Sequence, residues 1–365
     1  MRFFCEQEIM AQALQIVSRA VSTRATLPIL NGIYVKYENN NLLLRATDLE
    51  INIELMLENI EGDEEGAVVF SGKRFVDIVR YLPKEKITIF TSPEENQVSI
   101  ETRHSSFQLP VLPPHEFPSL PEVEKEFSFR LSFDELRDGI RKTSYATLSE
   151  DIRPFLTAVL FEFAGEKLKL VATDINRLAF FALSLPQVNY ENKVLIPTRT
   201  LQEIARLPFE NEDEIEIVIG SRQIRFSGKN LIVTSRLVEA QFPDYEKVIP
   251  RKFKTTIHVN RELLLKALER ASIMISSVKV NVDEGKMTIM ANEPETGKAY
   301  EEILLEKQEG EKIVIGFNAR FLIDFLNAVD MEEIVISFSG EEKPVIMEGK
   351  GEENYLYVVM PMKLN

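Results

Sequence analysis

One cysteine and three histidines are all that this 365-residue chain offers to thiol or imidazole chemistry. Cys5 by itself cannot close an intrachain disulfide. With no nearby histidine and no basic neighbour closer than Arg2, it reads as an inert buried thiol. His104, His115 and His258 are scattered, without the HxH or HExxH spacing of a zinc site, so no metal, cofactor or catalytic histidine is expected. Long apolar runs are missing too. None approaches the ~18 residues of a membrane span, the longest being broken within LAFFALSLP, so no membrane contact is expected. MRFFCEQEIM lacks the basic start, apolar stretch and cleavage site of a secretory signal, which points to the cytoplasm. Cations are in deficit, 43 Lys and Arg against 58 Asp and Glu, for a net charge of -15. That balance argues against a polyanionic partner unless the cations are segregated onto one surface.

What is present is a globular composition, 44% apolar and 28% charged, in a length suited to two or three domains. The chain repeats itself. LLLRATDLEINIEL (Leu42 to Leu55) returns as LKLVATDINRLAFF (Leu168 to Phe181), and Asp48 and Asp174 stand 126 residues apart. A faded third copy is MTIMANEPETGKAYEE (Met287 to Glu302). VVFSGKRFVDIVRYLP, VLIPTRTLQEIARLP and IVIGFNARFLIDFLNAV correspond, as do the openings around Leu14, Ile140 and Leu268. Each copy itself reads as two similar halves, a short strand leading into a helix of about three turns and then β-rich alternation. Proline-rich junctions near residues 122 and 250 divide the chain into 1–122, 127–250 and 253–365. The expected class is α+β, with three similar domains, six helices and antiparallel sheets.

The helices carry cations on the face opposite their apolar stripe. After Phe70 the stripe is Phe75, Val76, Ile78, Val79 and Leu82, which leaves Lys73, Asp77 and Arg80 outward. Arg199, Glu203 and Arg206 fill those places in the second copy, and Arg320, Asp324 and Asn327 in the third. The opening helices add Arg19, Arg137, Arg141, Lys142, Lys266 and Arg270. Formal charge over the six helices is +3, and over everything else -18. Ordinary surface amphipathicity explains a charged face on each helix; six such helices side by side would instead make a cationic lining suited to phosphates and unable to read bases. Six helices ~10 Å apart close a circle only ~19 Å across, leaving ~9 Å after the helix thickness is removed. A duplex, whose major groove alone is about 12 Å wide, does not pass. Twelve helices leave an opening of ~28 Å, so a ring reading implies a homodimer.

TLPILNG with ATDLE (Thr26 to Glu50), VATDINRLA (Val171 to Ala179), FPDYEKVIP (Phe242 to Pro250), GFNARFLIDFLNAV (Gly316 to Val329) and YVVMPMKL (Tyr357 to Leu364) resemble the beta subunit family of bacterial DNA polymerase III, the DNA sliding clamps. The resemblance covers essentially the whole chain. It implies a head-to-tail homodimeric ring of six similar domains, helices inside and sheets outside. Such a ring encircles duplex DNA without regard to sequence and tethers the replicative polymerase. It is opened by an ATP-driven clamp loader and catalyses nothing. Arg24 matches a family position near the DNA, and with it Lys73, Arg80, Arg141, Lys142, Arg199, Arg206, Lys266 and Arg270 are the expected DNA contacts. The dimer contact implied joins Phe107 and Leu109 of the first repeat to Ile273 and Met274 of the partner's third, with Arg74 and Arg103 against Glu301 and Glu302 setting the register. The chain departs from the family pattern at Ile175 and Asn176, at Pro154 and Phe155 after Arg153, and at a terminal Asn365.

Two features point to a peptide cleft where the second repeat meets the third. The tail MPM sets flexible methionines around a proline, a composition suited to several partners. ATDINRL places Arg177 and Leu178 where the first repeat has the region of Asn52. The cleft set is Leu156, Thr173, Arg177, Leu178, Pro243, Lys247, Val248, Pro344, Val358, Met360, Pro361 and Met362. Its occupants, by the resemblance, are short extended motifs with Gln and bulky apolar residues, from polymerases, the loader and repair proteins. Asp48 and Asp174 lack the second carboxylate or histidine that acid-base work or a metal needs, so a strand-end turn is the expected role. SGKR at Ser71 and SGKN at Ser227 are not followed by the Ser or Thr of a phosphate loop. A repeat-built hydrolase and a DNA-independent interaction scaffold are the alternatives weighed. A symmetry-breaking active site would mark the first, and a monomer with no topological hold on circular DNA the second.

Overall fold

A computed structural model describes residues 1–22, 27–92, 96–119, 122–185, 190–209, 214–293 and 297–363. Among these, six α-helices occur: α1 (Gln7–Val17), α2 (Gly72–Tyr81), α3 (Phe133–Thr143), α4 (Thr198–Ile204), α5 (Arg261–Ser272) and α6 (Ala319–Ala328). Each directly follows a strand: Arg2–Glu6, Gly66–Ser71, Phe127–Ser132, Tyr190–Pro197, Thr255–Asn260 and Ile313–Asn318. This is the doubled strand-helix pattern of the sequence, three times over. The helices start where a backbone donor finds an acceptor or the strand simply ends. Asn260 Oδ1 accepts from the Leu263 N–H, and Asn318 Oδ1 from the Arg320 N–H, capping α5 and α6. In α2, Phe75 and Val79 are buried while Lys73, Arg74 and Arg80 are exposed, with Val76 and Ile78 half-buried at the edges of the stripe.

The chain forms two compact units. The first comprises Met1–Asp134 with Arg206–Leu237. Its strands make one antiparallel sheet that runs from Phe127–Ser132 through Glu214–Ile219, Gln223–Ser227 and Leu231–Arg236 to Ile51–Leu57, Asn41–Thr47, Gly32–Glu38 and Gly66–Ser71. It continues through Ser106–Leu112, Gln97–Glu101, Lys86–Ser92 and Arg2–Glu6 to Glu61–Glu64. Helices α1 and α2 pack on each other and on this sheet. Alternate residues such as Leu42, Leu44 and Ala46 are fully buried, the period-two pattern of a sheet covered on one side.

The second unit comprises Glu135–Ala205 with Val238–Asn365. One sheet runs Tyr190–Pro197, Ala158–Gly165, Lys167–Thr173, Arg177–Ser184, Tyr355–Val359, Val345–Gly349, Glu333–Phe338, Thr255–Asn260, Lys307–Gly310. Another runs Gly297–Leu304, Lys286–Glu293, Ser277–Asp283, Ile313–Asn318. Helices α5 and α6 pack together, and Arg261 of α5 donates to the Leu326 carbonyl of α6 at 3.0 Å.

Both units contain the same joint between repeats. In the first, Ile51–Leu57 of repeat one pairs with Leu231–Arg236 of repeat two, with Ile53 opposite Val233. In the second, Arg177–Ser184 of repeat two pairs with Tyr355–Val359 of repeat three, with Ala179 opposite Tyr357. Hydrogen-bonding along two strands, with fully buried side chains behind them, is how one repeat is welded to the next.

Candidate functional site: an apolar cleft at the second joint

The turn between Lys167–Thr173 and Arg177–Ser184 builds one wall. Asp174 Oδ1 accepts from the N–H groups of Asn176 and Arg177, each at 3.0 Å. Thr173 Oγ1 accepts from the Ile175 N–H at 3.1 Å and donates to the Arg177 carbonyl at 2.7 Å. Asp48 and Thr47 make the same bonds to Leu49, Glu50 and Ile51 in the first repeat. Both aspartates are therefore turn formers, as their lone occurrence in each copy implies. The price of this turn is a left-handed residue at its tip. Ile175 has φ 80° and Leu49 φ 76°, a region costly for any side chain and most of all for a β-branched one. The Asn176 carbonyl accepts from the Met360 N–H at 2.8 Å, which ties the turn to the end of strand Tyr355–Val359.

Ile175 is held out rather than folded in, 54% exposed. With it, Phe155, Thr173, Arg177, Leu178, Pro243, Asp244, Tyr245, Val248, Val358 and Met360 line a cleft of about 280 Å³. Leu178 and Val358 are cross-strand partners at its floor, packed into a cluster with Leu160, Val171, Leu195, Tyr245 and Ile346. Phe155, Phe242 and Tyr245 form an edge-on aromatic chain with centroids 6.0 and 6.3 Å apart. The Tyr245 hydroxyl donates to Glu162; burial first, and this bond second, hold the phenol well above its ordinary range. Ile175, Val248 and Met360 stand exposed at the mouth of this mainly apolar concavity, a shape suited to holding apolar groups.

Arg177 braces the cleft from behind. Its Nε donates to Asp174 Oδ2 at 2.9 Å, Nη2 to the Tyr145 carbonyl at 2.7 Å and Nη1 to Asp324 of α6, and the guanidinium lies 4.5 Å from the Phe321 ring centroid. Burial works against its charge, but Tyr357 and the two carboxylates outweigh that and raise its pKa.

Of the residues singled out in the sequence, Thr173, Arg177, Leu178, Pro243, Val248, Val358 and Met360 come together here. Leu156 is buried beneath, in the turn Pro154–Thr157; Lys247 is exposed and paired to Asp244 at 2.9 Å. Pro344, Pro361 and Met362 are outside the lining, Met362 donating its N–H to the Gly316 carbonyl at 2.8 Å. Phe155 and Ile175, noted in the sequence only as departures from the family pattern, line the cleft too, as do Asp244 and Tyr245. Leu49 in the same turn of the first repeat was a signal for Ile175, and FPDY against FPSL one for Tyr245.

The expected DNA contacts divide. Arg24 lies outside the described residues. Lys73, Arg80, Arg199, Arg206, Lys266 and Arg270 are exposed. Arg80 stacks 4.8 Å from the Tyr81 ring centroid, Lys266 meets Glu269 at 2.8 Å, and Arg270 grips Glu301 with two bonds of 2.8 and 2.6 Å. Arg141 is exposed as well, but clamped by Asp330 and Asp138. Lys142 is not at the surface: 4% exposed, its ammonium sits between Asp138 and Glu352 and over the rings of Phe181 and Tyr355, a place that hides it from any phosphate. Of the expected dimer contacts, Arg74, Arg103, Phe107 and Ile273 are exposed and Met274 half-buried, while Leu109 is buried; Glu301 and Glu302 pair within the chain with Arg270 and Lys286.

Comparison with known proteins gives one consistent result. Models of the DNA polymerase III beta subunit match in order: its N-terminal domain at residues 1–121, its central domain at 130–244 and its C-terminal domain at 246–363. A beta sliding clamp of Halalkalibacterium halodurans is 33% identical over 100% of both chains, and one of Staphylococcus aureus 30% identical over 100% of this chain and 99% of its own. Among solved structures, a DNA polymerase sliding clamp from Bacillus subtilis superposes with a TM-score of 0.95 at 29% identity, covering 100% of each chain. A DNA polymerase III subunit beta from Pseudomonas aeruginosa bound to griselimycin superposes at 0.94 with 31% identity, again over 100% of each.

Proposed function

Because the chain belongs to the DNA polymerase III beta subunit family, matched along its length by all three domain models, we propose that it is a processivity factor. Two copies close head to tail around duplex DNA in the cytoplasm, each contributing domains 1–122, 127–250 and 253–365. The repeat-built hydrolase and the DNA-independent scaffold are not favoured, since the relatives are sliding clamps.

The observation that carries the ring is a third joint left open. Strand Gly297–Leu304 of repeat three corresponds to Ile51–Leu57 and Arg177–Ser184, yet it is the edge of its sheet. Ser106–Leu112 of repeat one corresponds to Leu231–Arg236 and Tyr355–Val359. Register along the ladders makes Ala299 the equivalent of Ile53 and Ala179, and Phe107 the equivalent of Val233 and Tyr357. Those four counterparts are fully buried, whereas Phe107 is 40% exposed and Ala299 half-buried. A strand edge left unpaired, here with Tyr300 and Leu304 exposed along it, invites pairing. A second copy supplies the missing partner, with Phe107 facing Ala299 and with Ile273 and Met274 alongside.

Exposed Lys73, Arg80, Arg199, Arg206, Lys266 and Arg270, with Arg141 and Arg24, then give the weak backbone contacts that sliding requires. The cleft at the second joint takes short peptides whose apolar anchors fill the space between Leu178, Val358 and Met360. The replicative polymerase, the clamp loader, other polymerases and repair proteins compete for it. The test is topological: protein loaded on a nicked circular plasmid with a clamp loader and ATP should stay on the circle through gel filtration and be lost after linearisation. Retention on linear DNA, or none on circles, would overturn the reading.

A further inference from the structure

The first joint carries its own small pocket, and its chemistry is the inverse of the cleft. Register equates Leu178 and Val358 with Asn52 and Thr234, and Val171 and Ile346 with Arg45 and Arg225. The apolar floor of one joint is thus a hydrogen-bonding floor at the other. About 160 Å³ opens beside Thr47, Asn52 and Thr234, lined also by Leu49, Pro118 and Gln223 and by the charged pair Glu50 and Arg236.

Asn52 is only 3% exposed, and its Oδ1 has no hydrogen-bond partner, while its Nδ2 donates to Glu54 at 3.2 Å. Exchanging the two amide atoms would turn an oxygen toward the Glu54 carboxylate, so the network fixes the carbonyl as the orphan. The floor wants a donor. Thr47 cannot supply it, because its hydroxyl is spent on the Ile51 carbonyl at 3.0 Å. Nearby charges already have counter-charges, Glu54 with Arg45 at 2.6 Å and, at the exposed rim, Glu50 with Arg236 at 3.6 Å, while the buried Nε atoms of Arg45 and Arg225 also lack acceptors. A charged ligand would therefore be desolvated without a counter-charge, and an alkyl group would leave the carbonyl unmet. A neutral group that donates and accepts satisfies the site.

We propose that the pocket at the first joint binds the carboxamide of a glutamine or asparagine side chain on an extended peptide, with its NH₂ donating to Asn52 Oδ1. The peptide as carrier, though not the pocket, rests on reading the other joint as a peptide cleft. Full-length protein with ¹³C-labelled Thr, Val and Leu methyl groups is titrated with N-acetyl-glutamine methylamide and, separately, N-acetyl-leucine methylamide. The glutamine probe should give saturable shifts at the Thr47 and Thr234 methyls and leave Val358 unmoved. Asn52→Leu, which installs the residue type of the other joint, and Thr234→Val, of the same shape as the original, should each weaken this by about tenfold or more. No saturable shift at Thr47 and Thr234, or equal binding by Asn52→Leu and Thr234→Val, overturns the proposal and leaves a water-filled pocket. Val358 shifts with the leucine probe report the cleft independently, so failure of either site is separately visible.

Discussion

At the scale of single residues, burial decides which groups keep their ordinary chemistry. Burial first and the Glu6 charge second push the Cys5 thiol from 9.0 to about 11. A raised acid favours its neutral form in the folded state, so this contribution is complete below pH 9 and is lost as pH rises from 9 toward 11. Wild type should lose about 2–3 kcal/mol more than Cys5→Ala across that interval, read from urea midpoints at pH 8 and 11. Parallel pH profiles would contradict it. Met360 is expected to act on binding instead, since it lines the cleft and stands 37% exposed. Met360→Ala should weaken an anchored peptide by about 1–2 kcal/mol in fluorescence polarisation without altering the unfolding midpoint. An unchanged dissociation constant would remove Met360 from the site.

Among elements, the strand joint matters more than any helix. Two such joints are closed within the chain, through Ile53 with Val233 and Ala179 with Tyr357. Facing residues on paired strands have Cα atoms ~4.5–5.5 Å apart, within reach of a disulfide. In a Cys5→Ala background, Phe107→Cys with Ala299→Cys should therefore cross-link two chains quantitatively under mild oxidation, whereas Phe107→Cys with Glu301→Cys should cross-link poorly. Equal yields would mean a different register. Phe107→Asp, which puts an unpaired charge into the same joint, should leave monomers in sedimentation.

On the scale of the whole molecule, net charge and local charge have opposite meanings. A chain at -15 stays off nucleic acid except where its cations are exposed. Lys73 and Arg80 are exposed on α2. Converting both to Glu should reduce loading on nicked circles several-fold and flatten its salt dependence, because fewer counterions are released. Dimerisation should be unchanged. Normal loading at moderate salt would place α2 away from DNA.

The sequence by itself determined the threefold repeat, the strand-helix halves and the two Asx turns, because each depends on neighbours within a few residues: Asp174 needs only Asn176 and Arg177. It also pointed to Leu178, an apolar residue in the region where the first repeat has Asn52, and, through the methionine-proline tail, to Met360. It could not reveal that the turn carrying Ile175 is tied through the Asn176 carbonyl to Met360, or that Tyr245 closes the floor through Glu162, for those bonds join segments far apart in the chain. Lys142 is the sharpest case. Helical periodicity sets it among surface cations, yet Glu352, 210 residues away, meets its ammonium and the rings of Phe181 and Tyr355 cover it. Periodicity says which face of a helix a residue occupies; only packing decides what lies against that face.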